Sequence, residues 1–287
     1  MYNTVLTLSN GVAVPQLALG TWLMDDAQAE TAVKSALSIG YHHIDTAQAY
    51  GNEAGVGKGI RESGLPRAEL FVTTKIAAEY KDYKSAADSI DSSLTALKTD
   101  YIDLMIIHSP QPWAEVNQSE NRYLAENREV WRALEDALSA GKVRAIGVSN
   151  FLQGDIENIL QAAKVKPMVN QILCHIANTP LDLIDWCASQ GILTEAYSPV
   201  AHGEALKNQS IAAMAEKYGV TVAQLCIRYC IQLGMIVLPK AAKAEHQKAN
   251  AEVDFEITAA DMELLKSIER IKDYGEASFF PVFGGRL

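Results

Sequence analysis

Residues 70–108 read LFVTTKIAAEYKDYKSAADSIDSSLTALKTDYIDLMIIH and contain the unit that repeats through the rest of the chain. Two short apolar runs, Leu70–Thr74 and Ile102–Ile107, have the length and composition of buried strands. Between them, Ser85–Lys98 carries its apolar residues at helical spacing. This order predicts two parallel strands with the helix packed outside them.

The same alternation recurs along the whole chain. We predict eight strands, near Leu17–Leu19, His42–Asp45, Leu70–Thr74, Ile102–Ile107, Val143–Val148, Met168–Ile172, Leu193–Ala196 and Ile236–Leu238. The helical segments between them include Ala27–Ser38, Asn52–Ser63, Ser85–Lys98, Asn127–Ala140 and Ser210–Tyr218. Eight strand-then-helix units in about 250 residues predict an α/β fold of the (β/α)8 TIM-barrel type.

The first residues predict a small addition to this barrel. Val5–Leu8 and Val12–Pro15 flank Ser9-Asn10-Gly11, a favoured hairpin turn, so a hairpin at about 4–15 should close the bottom of the barrel. No linker or low-complexity tract interrupts the chain. We therefore expect a single domain over residues 1–287, with a C-terminal tail at about 272–287.

A doubly wound Rossmann sheet has the same order of strands and helices and is the rival fold. It requires a G-x-G-x-x-G turn after the first strand. Here that strand runs into Gly20-Thr21-Trp22-Leu23-Met24, which contains no such turn. The later glycines Gly55, Gly57 and Gly59 lie inside a helical segment, where we interpret them as sites of close packing.

Composition narrows the class of protein further. The 25 Lys and Arg against 35 Asp and Glu give a net charge of −10, which disfavours a nucleic-acid binder. The N-terminus lacks the features of a secretory signal, and no apolar stretch approaches the ~20 residues of a membrane span. The four cysteines lie in apolar surroundings typical of reduced, buried thiols (Cys174, Cys187, Cys226 and Cys230). A cytoplasmic protein is expected.

Polar groups at three neighbouring strand ends indicate where chemistry could occur. In a barrel, such groups collect at the carboxyl end of the strands. The second strand ends at Asp45, with Tyr50 shortly after it. The third ends at Lys75 and the fourth at His108. Lys75 would need an anion such as Asp45 beside it, and its ammonium would favour the phenolate of Tyr50, which makes this tyrosine a candidate for proton transfer.

Each of these residues also has a purely structural interpretation. An Asp–Lys pair can simply satisfy itself at a strand end, and a lone histidine on an apolar strand is usually a hydrogen-bonded core residue. Four complementary groups on three adjacent strand ends favour a functional site instead.

Eight segments share their order and spacing with one known family. They are Leu-Gly-Thr-Trp at 19–22, His-Ile-Asp-Thr-Ala-x-Ala-Tyr-Gly-Asn-Glu at 43–53, Val-Thr-Thr-Lys at 72–75, Asp-Leu-Met-Ile-Ile-His at 103–108, Gly-Lys-Val-Arg-Ala-Ile-Gly-Val-Ser-Asn-Phe at 141–151, Val-Asn-Gln at 169–171, Ala-Tyr-Ser-Pro at 196–199 and Leu-Pro-Lys at 238–240. Through these segments, which are spread along the chain, the sequence resembles the aldo-keto reductase superfamily over essentially its whole length. Within that superfamily it is most similar to bacterial 2,5-diketo-D-gluconate reductase-like members.

The resemblance implies a function and a set of site residues. Asp45, Tyr50, Lys75 and His108 match the catalytic tetrad, with Tyr50 as proton donor, and no metal is needed. NADPH would lie across the barrel top and deliver hydride directly to a carbonyl carbon. The implied cofactor contacts are Gly20, Thr21, Trp22, Ser149, Asn150, Gln171, Tyr197, Ser198, Pro199, Lys240, His246 and Asn250.

At the adenosine end the sequence departs from the family. NADPH-specific members usually carry a serine and an arginine for the 2′-phosphate, where this chain has Ala241 and His246. An imidazole is not permanently charged at pH 7, so phosphate recognition should weaken, with Lys240 and Lys243 compensating in part. We therefore expect NADPH to be used and NADH to be tolerated.

The substrate side departs from the family as well. The usual His-Trp-Pro is replaced by His108-Ser109-Pro110, which should widen the pocket, with Trp22, Ser109 and Trp113 lining it. The polar stretch 113–128 is interpreted as a solvated loop, with a substrate lid as the alternative.

Three functions remain compatible with the fold. The complete tetrad favours a reductase of aldehydes and small ketones, including sugar-derived ones, which acts on a small-molecule carbonyl as a monomer or weak homodimer. The alternatives are a cofactor-sensing regulatory subunit and a structural use of the fold. A metal-dependent hydrolase is disfavoured because His42 and His43 would point to opposite faces of their strand.

Overall fold

The computed structural model describes residues 4–284, and the hairpin predicted at their start is present. Strand β1 (Val5–Thr7) pairs antiparallel with β2 (Ala13–Pro15). Gly11 lies in the turn at φ +86°, a backbone conformation that glycine adopts without strain. Val14 is completely buried and Leu8 almost so, which seats the hairpin against the core. The ends of the predicted domain, residues 1–3 and 285–287, lie outside the described residues.

Eight parallel strands follow, each hydrogen-bonded to the next in chain order. They are β3 (Leu19–Gly20), β4 (His43–Asp45), β5 (Phe71–Ile76), β6 (Ile102–Ile107), β7 (Val143–Ser149), β8 (Val169–Leu173), β9 (Leu193–Tyr197) and β10 (Ile236–Leu238). The first and last strands also meet, because Ala18 N donates to Val237 O at 3.0 Å and Gly20 N to Pro239 O at 3.1 Å. The sheet is therefore a closed barrel, as predicted.

Ten α-helices surround the barrel or cover its ends. They are α1 (Asp26–Ile39), α2 (Glu53–Glu62), α3 (Tyr83–Leu97), α4 (Leu124–Ser139), α5 (Gln153–Leu160), α6 (Leu181–Ser189), α7 (Gln209–Tyr218), α8 (Val222–Gln232), α9 (Ala244–Ala251) and α10 (Ala259–Lys266), which are all the α-helices found within residues 4–284. Asp25 caps α1 by accepting from Gln28 N, and Gly40 ends it in the left-handed region.

The glycines of α2 pack closely, as interpreted from the sequence. A Cβ on Gly55 would lie 2.1 Å from Asp26 O, and one on Gly57 would lie 2.3 Å from Leu97 O. Only glycine lets the backbone of α2 approach its neighbours at these points. The run is therefore a packing feature and not a dinucleotide turn.

The predicted boundaries of most elements differ from the observed ones by one to three residues, and β3 and α4 are examples. Strand β3 is shorter than predicted and shifted toward Gly20, because the chain before it bridges to β10 by isolated hydrogen bonds. Helix α4 begins at Leu124, so the end of the stretch predicted as a loop, 124–128, is helical. Tyr123 precedes α4 at φ 52° without a side-chain cap, so no capping signal marks this helix start in the sequence.

The structure shows the state of the cysteines and the arrangement of the side chains that could bind a metal. All four cysteines are buried and free of disulfides. Within residues 4–284, no group of three or more His, Cys, Asp or Glu side chains is arranged to hold a metal ion. In the same range, no helix has both the length and the apolar character needed to cross a membrane.

Candidate active site at the carboxyl end of the barrel

The four residues singled out at strand ends converge at one end of the barrel. Asp45 is the last residue of β4, Lys75 is the penultimate residue of β5, and His108 directly follows β6. Tyr50 ends a short 3-10 turn, Gln48–Tyr50, that follows β4. The structure thus brings together all four side chains that strand position alone suggested.

Lys75 is the centre of this group and is completely buried. Its Nζ donates to Asp45 Oδ1 at 2.6 Å, to Thr46 O at 2.8 Å and to the Tyr50 hydroxyl at 3.3 Å. Burial lowers the pKa of Lys75, but Asp45 and Tyr50 more than offset this, so the net shift is upward. Lys75 is therefore an ammonium held between a carboxylate and a phenol.

Tyr50 and His108 both carry perturbed pKa values. Burial raises the pKa of Tyr50 more than Lys75 lowers it. Lys75 favours the phenolate, as the sequence suggested, but burial outweighs this effect, so Tyr50 is a protonated phenol at neutral pH. Burial, with Lys75, lowers the pKa of His108 well below its ordinary value, so His108 is a neutral imidazole. Its ring lies 5.6 Å from that of Tyr50, measured between centroids.

A cavity of about 330 Å³ opens above these residues. Ten of the twelve side chains or loop residues expected to contact a cofactor line it: Gly20, Thr21, Trp22, Ser149, Asn150, Gln171, Tyr197, Ser198, Pro199 and Lys240. Three members of the tetrad, Asp45, Tyr50 and His108, also reach its wall, and Lys75 lies behind them. His246 and Asn250, on α9, are not part of the wall.

The side-chain amides of this cavity are held in place by hydrogen bonds. Asn150 donates from Nδ2 to His108 O at 3.0 Å, and its Oδ1 accepts the Tyr197 hydroxyl at 2.7 Å. Gln171 donates from Nε2 to Asp45 Oδ2 at 3.0 Å. A hydroxyl and two amides beside a tyrosine ring suit a flat, amide-bearing aromatic ring, so the donor set fits the nicotinamide end of a dinucleotide.

The outer part of the cavity is aromatic. Trp113 packs edge-on against His108 at 4.9 Å between centroids, and Phe280 lies 4.7 Å from Trp113 and 5.1 Å from Trp22. His202 packs edge-on against Trp22 at 5.2 Å between ring centroids. Trp22 and Trp113 were expected here from the sequence, whereas Phe280 and His202 were missed.

Ser109 does not reach the cavity wall, although the sequence suggested it. Its side chain is completely buried, and its Oγ accepts from Gln111 N at 3.3 Å. Its carbonyl accepts from Lys81 Nζ at 2.9 Å. Ser109 therefore shapes the loop after β6, and the space left by the missing aromatic is lined by Trp113.

Comparison with known proteins agrees with this geometry. Residues 16–270 match the Aldo/keto reductase family. The chain belongs to the aldo/keto reductase family. It is 39% identical over 270 residues to the "Glyoxal reductase" of Bacillus subtilis, an alignment covering 93% of this chain and 94% of that protein. The expectation of an NAD(P)H-dependent carbonyl oxidoreductase is thereby confirmed at the level of the family.

Solved structures of aldo-keto reductases share the whole fold. An aldo/keto reductase from Brucella melitensis has a TM-score of 0.85 at 37% identity, over 93% of this chain and 99% of that one. An aldo-keto reductase from Bombyx mori, solved in complex with NADP, also has a TM-score of 0.85, at 30% identity over 98% and 99% of the two chains. The finer likeness to 2,5-diketo-D-gluconate reductases stays a prediction.

In this aldo-keto reductase, the region expected to hold the adenosine end of the cofactor is exposed and carries side chains of both charges. Lys240 is exposed and its Nζ donates to Leu23 O at 3.4 Å. His246 is exposed on α9, 3.8 Å from Glu245, which is also 4.0 Å from Lys243. A carboxylate thus lies beside two of the three basic groups expected near the 2′-phosphate, Lys243 and His246. Glu245 was missed in the sequence because only the basic residues around it, Lys243 and His246, were considered as phosphate contacts.

Sequence reasoning also missed Glu195, a buried carboxyl in the middle of β9. Its Oε2 accepts from Gln171 Nε2 at 2.8 Å. The available signal was a single acidic residue inside a predicted barrel strand, between Thr194 and Ala196, where burial without a partner is costly.

Proposed function

We propose that this protein reduces aldehydes and small ketones, sugar-derived ones included, to alcohols with NADPH, using Tyr50 as proton donor. The observation that carries the proposal is the Tyr50–Lys75–Asp45 chain, which ends in a protonated phenol at the cavity wall. Glyoxal is a suitable first substrate, because the similar Bacillus subtilis protein is named for its reduction.

The roles of the four residues follow from their charge states. Tyr50 holds the proton at its hydroxyl and transfers it to the carbonyl oxygen, on which negative charge develops. Lys75, 3.3 Å from that hydroxyl, stabilises the tyrosinate that remains, and Asp45 keeps Lys75 charged. Neutral His108 orients the carbonyl oxygen by a hydrogen bond. NADPH, when bound, supplies the hydride for the carbonyl carbon.

The cofactor contacts are divided between two regions. Ser149, Asn150 and Gln171 would hold the carboxamide, with the Tyr197 ring against the nicotinamide. Lys240, His246 and Asn250 would hold the adenosine end, where the weaker set of cations allows NADH as well as NADPH. The expected state, a monomer or weak homodimer, stays part of this proposal.

The Tyr50→Phe variant tests this function. We expect turnover of glyoxal and of an aromatic aldehyde to fall about 10²- to 10⁴-fold, as loss of a general acid does, while NADPH binding stays within about threefold. Loss of reduced-nicotinamide absorbance measures turnover, and protein fluorescence measures binding. Tyr80→Phe is the matched control, because Tyr80 is exposed outside the site. A wild-type protein that binds NADPH but reduces no carbonyl would overturn the proposal and favour the cofactor-sensing alternative.

A further inference from the structure

Glu195 lies where an apolar residue would be expected. It occupies the centre of β9, directly opposite Gln171 of β8 and Ile236 of β10 in the strand register. The side chain is completely buried. Its Oε1 atom has no hydrogen-bond partner within residues 4–284. Such a group costs stability, so its presence in the barrel interior calls for a compensating role.

Within residues 4–284, the one hydrogen bond of the Glu195 side chain leads into the active site. Gln171 Nε2 donates one bond to Glu195 Oε2 at 2.8 Å and a second to Asp45 Oδ2 at 3.0 Å. The other oxygen of Asp45 accepts from Lys75. A glutamine amide has two N–H donors, so both are used by the two carboxyl groups. The atom left for the cavity, which Gln171 lines, is its carbonyl oxygen Oε1.

The charge balance of this cluster explains how Glu195 can remain there. Lys75 neutralises Asp45, and among residues 4–284 no other cation contributes to the pKa shift of Glu195. Burial, together with Asp45, raises the pKa of Glu195 to about 8, so at pH 7 it is largely a neutral acid. A neutral carboxyl still accepts the bond from Gln171 and adds no second negative charge beside Asp45.

We propose that Glu195 is a positioning residue that holds the Gln171 amide with its carbonyl oxygen turned into the cavity, ready to accept a hydrogen bond from the carboxamide of the nicotinamide. Without Glu195, one N–H of Gln171 would lack an acceptor, and the amide would be free to rotate away from this orientation. The inference rests on the proposed function, because it assumes that NADPH occupies this cavity.

The test compares Glu195→Leu, which removes the acceptor, with Glu195→Gln, whose amide oxygen can still accept. We expect Glu195→Leu to weaken NADPH binding about 3- to 10-fold, the value of one hydrogen bond, and Glu195→Gln to stay within about twofold. In a Gln171→Ala background, Glu195→Leu should add less than about twofold, because it acts through Gln171. Thr194→Val, on the other face of β9, is the control for strand packing.

A second ligand separates local positioning from general damage. The fragment 2′-phospho-ADP-ribose lacks the nicotinamide, so Glu195→Leu should bind it as the wild type does. Equal loss for the fragment and for NADPH, or additive effects of the two substitutions, would show a structural role and overturn the inference. Wild-type binding of NADPH by Glu195→Leu would overturn it too, while leaving the proposed function intact. Failure of the wild type itself to bind NADPH would instead refute both.

Discussion

Lys75 Nζ lies 2.6 Å from Asp45 Oδ1 with both side chains buried, so each is the main counter-charge of the other. Replacement of one partner should leave the other as an uncompensated charge. We expect Asp45→Asn to destabilise the fold by about 3–5 kcal/mol, the usual cost of breaking a buried pair. It should also lower turnover about 10- to 100-fold, because Lys75 loses part of its charge stabilisation. Urea unfolding and steady-state kinetics measure the two effects.

The double variant Asp45→Asn/Lys75→Met tests that explanation. It removes both charges, so it should regain part of the stability lost in Asp45→Asn while remaining inactive. The exposed pair Lys34–Glu62, in which the charged atoms lie 2.8 Å apart, supplies the control. Glu62→Gln should change neither stability nor turnover appreciably. A double variant less stable than Asp45→Asn would contradict the role of Lys75 as the stranded charge.

The strand ends that carry this pair could be predicted because periodicity and residue type agree there. Lys75 and His108 each close an apolar strand, and polar residues at that position face the carboxyl end of a barrel. The motifs around them place Asp45 and Tyr50 as well. The state of Tyr50 could not be predicted in the same way, because its pKa depends on how burial compares with the charge of Lys75. That comparison requires coordinates.

The position of Phe280 at the cavity could not be predicted from the sequence. The tail reaches the cavity because His175 Nε2 and the Tyr274 hydroxyl lie 2.9 Å apart and Asn117 donates to Pro281 O at 2.8 Å. These contacts join residues far apart in the chain, and no local pattern encodes them. The same holds for Glu195, because its environment depends on Gln171 of the neighbouring strand.

Phe280 should select for aromatic substrates. It lies against Trp22 and Trp113 at the outer wall of the cavity. We expect Phe280→Ala to raise KM for an aromatic aldehyde about 5- to 20-fold, since a ring contact is lost, and to leave glyoxal within about twofold. Phe279→Ala is the control, because Phe279 is 72% exposed one residue earlier. Equal changes for the two substrates would mean that the tail does not line the substrate region.

Cofactor preference should depend on the charges around His246. We expect the wild type to prefer NADPH over NADH by less than about a thousandfold, because a permanent cation is missing at the 2′-phosphate. His246→Arg should increase the preference about tenfold. Ratios of kcat/KM for the two cofactors measure it. A wild-type preference above about a thousandfold would contradict the argument from His246.

Glu245 provides a second handle on the same preference. Its carboxylate lies near both Lys243 and His246, and it reduces the positive potential available to a phosphate. Glu245→Gln should raise the NADPH preference by about two- to threefold, a small effect because these groups are solvated. Glu252→Gln makes the same charge change directly after α9, beside Lys248, and should leave the ratio unchanged. Equal shifts in both variants would indicate a long-range charge effect instead of a contact at the phosphate.

Ionisation of Glu195 should also affect the stability of the fold. Its pKa in the folded protein is about 8, above the ordinary value of 4.5. Between these two values the folded state retains a proton that the unfolded state has released, so stability is lost as pH rises through this window. Glu195→Gln does not titrate there. As pH rises, the free energy of unfolding of the variant should therefore increase relative to that of the wild type, by at most about 1.4 kcal/mol per pH unit.

Urea unfolding of both proteins at pH 5.5 and pH 7.5 measures this difference, and the remaining groups titrate alike in the two proteins. We expect Glu195→Gln to gain about 1–3 kcal/mol on the wild type over this interval. A constant difference would mean that Glu195 ionises at an ordinary value, which requires a compensating cation or water that reaches it. A difference of opposite sign would mean that the folded protein stabilises the charged form of Glu195. Either result would remove the neutral carboxyl as the acceptor for Gln171.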